Sequence, residues 1–135
     1  MHRKRVLFIC SHNSARSQMA EAILRHWHGD RYEAFSAGIE ATKVNSLVVP
    51  TLKEIGIDAS GQWSKGLDTY EGEEFDLAVT VCDAAHQTCP FFPGAGRLIH
   101  HGFFDPSKVE GTEDQKREAF RKSRDEIKKW IDENF

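Results

Sequence analysis

A cysteine and an arginine lie six residues apart near the start of the chain, with a short polar loop between them. Cys10 follows Arg5–Ile9, an apolar run typical of a buried strand, and Arg16 opens a segment with helical spacing of apolar residues. A loop between a strand end and a helix N-terminus can point several backbone N–H groups inward, which suits a tetrahedral oxyanion. This field and the charge of Arg16 favour the thiolate form of Cys10, which would act as a nucleophile. The planar guanidinium of Arg16 can hold two oxygens of the anion.

The spacing of Cys10 and Arg16 is only moderately specific when it is taken alone. It also fits a buried cysteine at a strand end beside a surface arginine. The order of strand, polar loop and amphipathic helix favours the anion site. The predicted substrate-binding residues are Ser11, His12, Asn13, Ser14, Ala15, Arg16 and Ser17.

A second group of reactive side chains follows a later strand. Cys82 comes directly after the apolar run Phe75–Val81, so in a parallel sheet it would lie at the same edge as Cys10. Cys89 follows seven residues later, across a segment of small residues that can change shape. Two thiols near one anion site fit serial disulfide exchange. Zinc binding by Cys82, His86 and Cys89 is one alternative, and a buried inert pair of cysteines is another.

Asp105 lies in a Gly-Phe-Phe-Asp-Pro loop after the last predicted strand. A carboxylic acid beside an anion pocket can protonate a departing oxygen, which otherwise leaves as hydroxide. Asp-Pro is also a common way to start a turn, and that simpler explanation stays open at this point.

The elements that must position these residues alternate between strands and helices. The predicted strands are Arg5–Ile9, Tyr32–Ala37, Phe75–Val81 and Arg97–His100, and the predicted helices are Ser14–Trp27, Ser46–Ile55 and one that runs from Thr112 nearly to the C-terminus. Gly56 is predicted to end the second helix, and Pro50 predicts that this helix begins late or bends. Thr112 and Gln115 have the spacing of a capping box. The alternation predicts an α/β fold with a parallel sheet.

The composition is that of an ordinary globular chain. Its 135 residues predict a single domain over residues 1–135, and 18 basic against 21 acidic residues give a net charge of -3. No long block of one charge suggests a nucleic-acid or membrane surface, and no apolar run is long enough to cross a bilayer. The start of the chain lacks the apolar stretch of a secretion signal. Three cysteines fit reactive thiols in a reducing compartment better than a disulfide framework, so we expect a cytoplasmic protein.

The chain resembles the low-molecular-weight protein tyrosine phosphatases, whose loop pattern is C-x-G-N-x-C-R-S. Cys10, Asn13, Arg16 and Ser17 match that pattern. The run from Arg16 to Glu21 is closer to the thioredoxin-coupled arsenate reductases of the same family. Those reductases carry a Cys-x6-Cys pair after the third strand, which Cys82 and Cys89 match. The resemblance covers essentially the whole chain, including Ser36-Ala37-Gly38, Gly56-Ile57-Asp58 and the stretch from His101 to Pro106.

This resemblance implies a four-stranded parallel sheet with helices on both faces and a thioredoxin-recycled reduction of arsenate to arsenite. Cys10 would attack arsenic while Asp105 protonates the leaving hydroxyl. Cys82 would then form a disulfide with Cys10. Cys89 would attack Cys82, release Cys10 and leave a Cys82–Cys89 disulfide for thioredoxin to reduce. The family's second loop cysteine is Ala15 here, so any resolving thiol must be Cys82 or Cys89.

The same resemblance implies no cofactor, a monomer, and competition by phosphate or sulfate. The phosphatases usually have tyrosines after Asp-Pro, whereas this chain continues with Ser107, which favours a small inorganic oxyanion over phosphotyrosine. Two other functions stay open: a phosphatase of phosphate monoesters, with Cys82 and Cys89 dispensable, and a redox-sensing or metal-binding module.

Two further residues depart from the family pattern. His12 replaces a loop glycine, and it would be slightly strained if its φ were positive. Some family reductases bind potassium through residues that match Asn13, Glu21, Ser36 and an aspartate, and Lys65 aligns with that aspartate. An ammonium group at this position can occupy the cation site from within the chain, so we expect no dependence on potassium.

Overall fold

The computed structural model describes residues 3–82 and 94–135 as one sheet with helices packed against it. The strands are β1 (Lys4–Cys10), β2 (Tyr32–Gly38), β3 (Leu77–Thr80) and β4 (Leu98–His100); the α-helices are α1 (Arg16–His28), α2 (Val48–Lys53) and α3 (Glu113–Asn134); short 3-10 helices cover Leu67–Tyr70 and Pro106–Lys108. The sheet order is β2-β1-β3-β4, and every pairing is parallel. The predicted four-stranded parallel sheet is therefore confirmed. Within the described ranges, no helix is long and apolar enough to cross a membrane.

Strand β1 forms the centre of the core. Val6, Leu7, Phe8 and Ile9 are all at most 1% exposed, as expected for an apolar strand that is covered on both faces. The strand order reverses at β1, because the chain moves to β2 on one side and then returns to β3 on the other. Ligands of open parallel sheets bind at the carboxyl ends of the strands, at such a reversal. Cys10 is the last residue of β1 and lies at this point.

The bounds of α1 and β3 differ from the predicted ones because tertiary hydrogen bonds compete for their ends. Helix α1 begins at Arg16 rather than Ser14, since the Ser14 carbonyl accepts a hydrogen bond from the distant Asn45 N–H at 2.9 Å. Strand β3 covers only Leu77–Thr80 of the predicted Phe75–Val81. Just before this strand, the Arg5 N–H donates to the side chain of Asp76 at 2.7 Å instead of to a backbone carbonyl, so the regular pairing with β1 begins later.

Helix α2 begins late, as Pro50 predicts, so that this proline falls in the first turn, where no intrahelical donor is required. The regular helix ends at Lys53, two residues before the predicted Ile55, and the predicted glycine stop follows, since Gly56 adopts a φ of 86°. The Gly56 N–H donates to the Lys53 carbonyl at 3.0 Å and the Ile57 N–H to the Leu52 carbonyl at 3.1 Å, which is the hydrogen-bond pattern of a Schellman motif.

Helix α3 begins with the predicted capping box. The Gln115 N–H donates to Thr112 Oγ1 at 3.2 Å, and the Thr112 N–H donates to Gln115 Oε1 at 2.8 Å. Its residues Phe120, Ile127 and Ile131 recur at helical spacing and are buried in the core. This helix contacts both α1 and α2, so it closes one side of the fold around the helix that carries Arg16.

Candidate active site

The loop from Ser11 to Ala15 is shaped by its neighbours after β2. The N–H groups of Ile39 and Glu40 donate to the carbonyls of Cys10 and Ser11 at 3.0 and 2.9 Å. The His12 carbonyl accepts the hydroxyls of Thr42 and Ser64, at 3.3 and 3.0 Å. The carbonyl oxygens of Ser11 and His12 are thus bonded to the segment beyond β2, and the Asn13 carbonyl accepts Gln18 Nε2–H at 3.1 Å. The backbone N–H groups of the loop are therefore the groups able to bind an anion.

Gly38 is required where β2 ends beside this loop. A Cβ atom at this position would lie 2.6 Å from the Asn13 nitrogen and 2.7 Å from the His12 carbonyl carbon. Both atoms belong to the backbone and cannot turn away, so only glycine allows β2 to approach the loop this closely.

A chain of hydrogen bonds under the loop ends at the sulfur of Cys10. The side-chain oxygen of Asn13 accepts the Lys65 N–H and a Gln18 Nε2–H, both at 2.8 Å, so the Asn13 amide nitrogen faces Ser17. That nitrogen donates to Ser17 Oγ at 2.8 Å, and Ser17 Oγ lies 2.7 Å from Cys10 Sγ. Because the Ser17 oxygen already accepts a hydrogen bond from Asn13, the hydroxyl hydrogen of Ser17 is available to donate to the sulfur.

The Asn13 backbone adds a second donor to Cys10, since its N–H lies 3.2 Å from the sulfur. Asn13 has a φ of 50°, the only positive value among the non-glycine residues that the structure describes. The strain considered for His12 is therefore absent, and the left-handed residue is an asparagine, which tolerates this conformation well. Donors of this kind stabilise a thiolate.

Arg16 and Asp105 meet on the other side of the cavity. Arg16 Nη2 lies 3.3 Å from Asp105 Oδ2, and Arg16 Nη1 donates to the Phe103 carbonyl at 3.0 Å. The structure thus brings the predicted acid to the predicted anion-binding arginine. Their cavity has a volume of about 50 Å³, and it is lined by Cys10, Ser11, His12, Ser14, Ala15, Arg16, Asp105 and Ser107. This space suits one tetrahedral oxyanion and is far below the roughly 300 Å³ at which pockets for larger ligands begin.

Cys82 reaches the same site from the neighbouring strand. It is 3% exposed, and its sulfur lies 3.4 Å from the hydroxyl of Ser11 in the loop. Cys10 is similarly buried, at 4% exposure. Cys89 and His86 lie outside the described residues. Among the residues that are described, no three His, Cys, Asp or Glu side chains are arranged to hold a metal ion.

Lys65 lies buried behind the loop, with its ammonium against Glu21. Its Nζ is 3.3 Å from Glu21 Oε1 and donates to the Trp63 carbonyl at 2.9 Å. The same Glu21 oxygen accepts the Ser36 hydroxyl at 2.5 Å. Burial, followed by the negative charge of Glu21, raises the pKa of the nearby Tyr70 to about 12, so the Tyr70 phenol stays neutral at pH 7.

Sequence reasoning did not identify Ser107 as part of the site. Its hydroxyl donates to Asp105 Oδ1 at 2.6 Å, and its N–H donates to the same oxygen at 3.0 Å. The order Asp-Pro-Ser is the available signal, because an aspartate often accepts hydrogen bonds from the residue two positions later in a turn. Gln18 was also missed, although it fixes the orientation of Asn13.

Comparison with known proteins places the whole chain in one group. The model of the family described as low molecular weight phosphotyrosine protein phosphatase matches residues 5–133. An arsenate reductase of Halalkalibacterium halodurans is 46% identical over 131 residues, which cover 97% of this chain and 94% of the relative. An arsenate reductase of Bacillus subtilis is 42% identical over 127 residues, which cover 94% of this chain and 91% of the relative. A solved structure of an arsenate reductase in the phosphate-binding state has a TM-score of 0.78 and 26% identity, over 96% of this chain and 95% of that chain.

Proposed function

The chain belongs to the low-molecular-weight phosphotyrosine protein phosphatase family, and we propose that within this family it is an arsenate reductase. The observation that carries this choice is the position of Cys82, whose sulfur lies 3.4 Å from the hydroxyl of Ser11 in the anion loop. A phosphatase needs one thiol at its anion site, whereas reduction of a bound oxyanion needs a second thiol within reach of the first. The names of the full-length relatives support the same choice.

The first step joins arsenate to the protein. The loop N–H groups and Arg16 hold the oxyanion, and the Cys10 thiolate attacks arsenic. A sulfur–arsenic bond forms while an arsenic–oxygen bond breaks. Asp105 donates a proton to the departing hydroxyl, which leaves as water. Ser17 and the Asn13 N–H support the thiolate before the attack.

The second step transfers two electrons to arsenic. The Cys82 thiolate attacks the sulfur of Cys10, and the electron pair of the sulfur–arsenic bond goes to arsenic, which leaves as arsenite. A Cys10–Cys82 disulfide remains. Cys89 then attacks Cys82, which releases Cys10 and forms a Cys82–Cys89 disulfide. Thioredoxin reduces this disulfide and supplies the two electrons of each turnover.

The same proposal includes competing anions, a side activity and the cellular setting of the reaction. Phosphate and sulfate share the shape and charge of arsenate and compete with it weakly. Small aryl phosphates are hydrolysed slowly, because Cys10, Arg16 and Asp105 suffice for that reaction. The scheme involves no cofactor. It suits a monomer in the cytoplasm, where thiols are kept reduced.

The test compares two activities in one preparation. Arsenate-dependent oxidation of NADPH, with thioredoxin and its reductase present, measures reduction, and p-nitrophenyl phosphate hydrolysis measures the anion site alone. Cys10→Ser should lose both activities, whereas Cys82→Ser should lose arsenate reduction and keep ester hydrolysis. The second variant is the matched control, because it leaves the loop and Arg16 in place.

Peptide mapping after one turnover without reductant tests the order of the thiols. The unmodified protein should contain a Cys82–Cys89 disulfide, and Cys89→Ser should contain a Cys10–Cys82 disulfide. Three free thiols after arsenate treatment would overturn the reductase assignment. Full multiple-turnover reduction by Cys89→Ser with thioredoxin as the sole electron donor would overturn the proposed relay of thiols.

A further inference from the structure

The two carboxylate oxygens of Asp105 have different surroundings. Oδ1 accepts both the hydroxyl of Ser107, at 2.6 Å, and the Ser107 N–H, at 3.0 Å. Oδ2 lies 3.3 Å from Arg16 Nη2, and both residues line the anion cavity. One oxygen is therefore occupied by donors from Ser107, and the other lies against the arginine of the anion site.

This difference decides where a proton can reside on Asp105. A proton on Oδ1 would point toward two donor hydrogens, those of the Ser107 hydroxyl and backbone, so that arrangement is unfavourable. A proton on Oδ2 leaves both hydrogen bonds intact. Arg16 does not prevent a proton from residing on Oδ2, because an oxyanion in the cavity competes with Asp105 for the same guanidinium.

We propose that Ser107 is a positioning residue of the reaction: its hydroxyl orients Asp105 and keeps the transferable proton on Oδ2. This inference rests on the proposed function, in which Asp105 protonates the leaving group. Ser107 also lines the cavity beside Cys10 and Arg16, so its hydroxyl is placed within the site rather than outside it. Loss of the hydroxyl would leave only the Ser107 N–H on Oδ1, so the Asp105 carboxyl would be held less firmly and a proton on that oxygen would be less unfavourable.

The chain contains the same turn at a second position, away from the cavity. The Ser60 hydroxyl donates to Asp58 Oδ1 at 2.6 Å, and the Ser60 N–H donates to it at 3.0 Å. These two hydrogen bonds lower the pKa of Asp58. The turn thus forms for local reasons at both positions, and only the Ser107 copy adjoins the anion site. Ser60→Ala is therefore a matched control for the loss of a turn hydroxyl.

The leaving group distinguishes positioning from folding. Phenyl phosphate has a poor leaving group that needs a proton, whereas p-nitrophenyl phosphate has a good one that needs little help. The parameter kcat/KM reports the steps up to release of the phenol. Ser107→Ala should lower kcat/KM for phenyl phosphate about three- to tenfold, the loss expected for one hydrogen bond, and change it less than about twofold for p-nitrophenyl phosphate.

Three further comparisons complete the experiment. Ser107→Thr keeps the hydroxyl and should restore the rate with phenyl phosphate, and Ser60→Ala should leave both rates unchanged. Asp105→Asn removes the proton, so adding Ser107→Ala to it should cause no further loss. Arsenate loses hydroxide, another poor leaving group, so its single-turnover reduction should fall in Ser107→Ala as phenyl phosphate hydrolysis does.

Equal losses for both esters in Ser107→Ala would overturn the proposal, because a merely structural role affects both alike. A loss of the same size in Ser60→Ala, or failure of Ser107→Thr to restore activity, would also overturn it. If the variants show the expected differences between the two esters but the unmodified protein reduces no arsenate, the role of Ser107 is supported and the proposed function alone fails.

Discussion

The buried ammonium of Lys65 should contribute measurably to the stability of the protein, because it faces the Glu21 carboxylate in the interior. Both residues are at most 5% exposed. Lys65→Met keeps most of the apolar stem and removes the charge. The variant would leave Glu21 with Arg25, whose nitrogen lies 2.6 Å away on a half-exposed side chain, and with the hydroxyl of Ser36.

Removing one partner of a buried ion pair typically costs about 3–5 kcal/mol. The remaining partners of Glu21 reduce this cost, so we expect a loss of about 2–3 kcal/mol in the free energy of unfolding. For a chain of this length, each kcal/mol lowers the melting temperature by about 3–4 °C, which gives a decrease of about 6–12 °C. Thermal unfolding followed by circular dichroism at pH 7 measures it.

Lys128→Met is the matched control. Lys128 forms a 2.6 Å ion pair with Asp132 on the surface of α3, where both side chains are more than a third exposed. Such a pair contributes about 0.3–0.5 kcal/mol, and the contact of Lys128 Nζ with the Trp27 ring, 4.7 Å from its centroid, adds about 0.5 kcal/mol, so this variant should melt within about 4 °C of the unmodified protein. A change in Lys65→Met as small as that of Lys128→Met would refute the argument from burial.

A potassium titration tests whether Lys65 takes the place of a bound cation. Exchange of sodium for potassium at constant ionic strength should not change the melting temperature of the unmodified protein. Lys65→Asp offers a carboxylate in place of the ammonium, and its melting temperature should rise in potassium, since a ligand that binds only the folded state stabilises it. A clear rise for the unmodified protein would contradict the prediction.

Two further predictions concern charged side chains. Arg16→Lys should lower kcat/KM for aryl phosphate hydrolysis roughly 100-fold or more, because one ammonium cannot bind two oxygens in parallel; activity within tenfold of the unmodified protein would contradict this. The hydrogen bonds from Arg121, followed by those from Arg124, lower the pKa of Glu54 from 4.5 to about 2. Because the pKa is lowered in the folded state, this stabilising contribution is present above pH 4.5 and is lost as the pH falls toward 2. The difference in melting temperature between the unmodified protein and Glu54→Gln should therefore shrink over that interval, and a constant difference would exclude the assignment.

The sequence predicts elements well where local signals and burial agree. The apolar run of β1, the capping box at Thr112 and the glycine stop at Gly56 are found as predicted, because each depends on residues close together in the chain. The start of α1 and the length of β3 depend on Asn45 and Asp76, whose hydrogen bonds join distant segments. No local pattern carries that information.

In the candidate site too, some features can be predicted from the sequence and others depend on the fold. The types and spacing of Cys10, Arg16 and Asp105 suggest their roles, and the structure brings these three residues to one cavity. The need for glycine at position 38 arises only from the approach of β2 to the loop. The hydrogen bonds from Ser107 to Asp105 are local and agree with the order Asp-Pro-Ser, but their place beside the anion cavity depends on the fold.

The meeting of Cys82 with the loop follows from strand register alone. Strands β1 and β3 pair in parallel with Phe8 opposite Val79 and Ile9 opposite Thr80. Continued by two residues, this register places Ser11 opposite Cys82, in agreement with the 3.4 Å contact between their side chains. Neighbouring strands lie about 4.8 Å apart, and a shift of one residue turns every side chain to the other face. The buried faces of β1 and β3 fix the register, so the same packing that forms the core also holds a second thiol beside the anion loop.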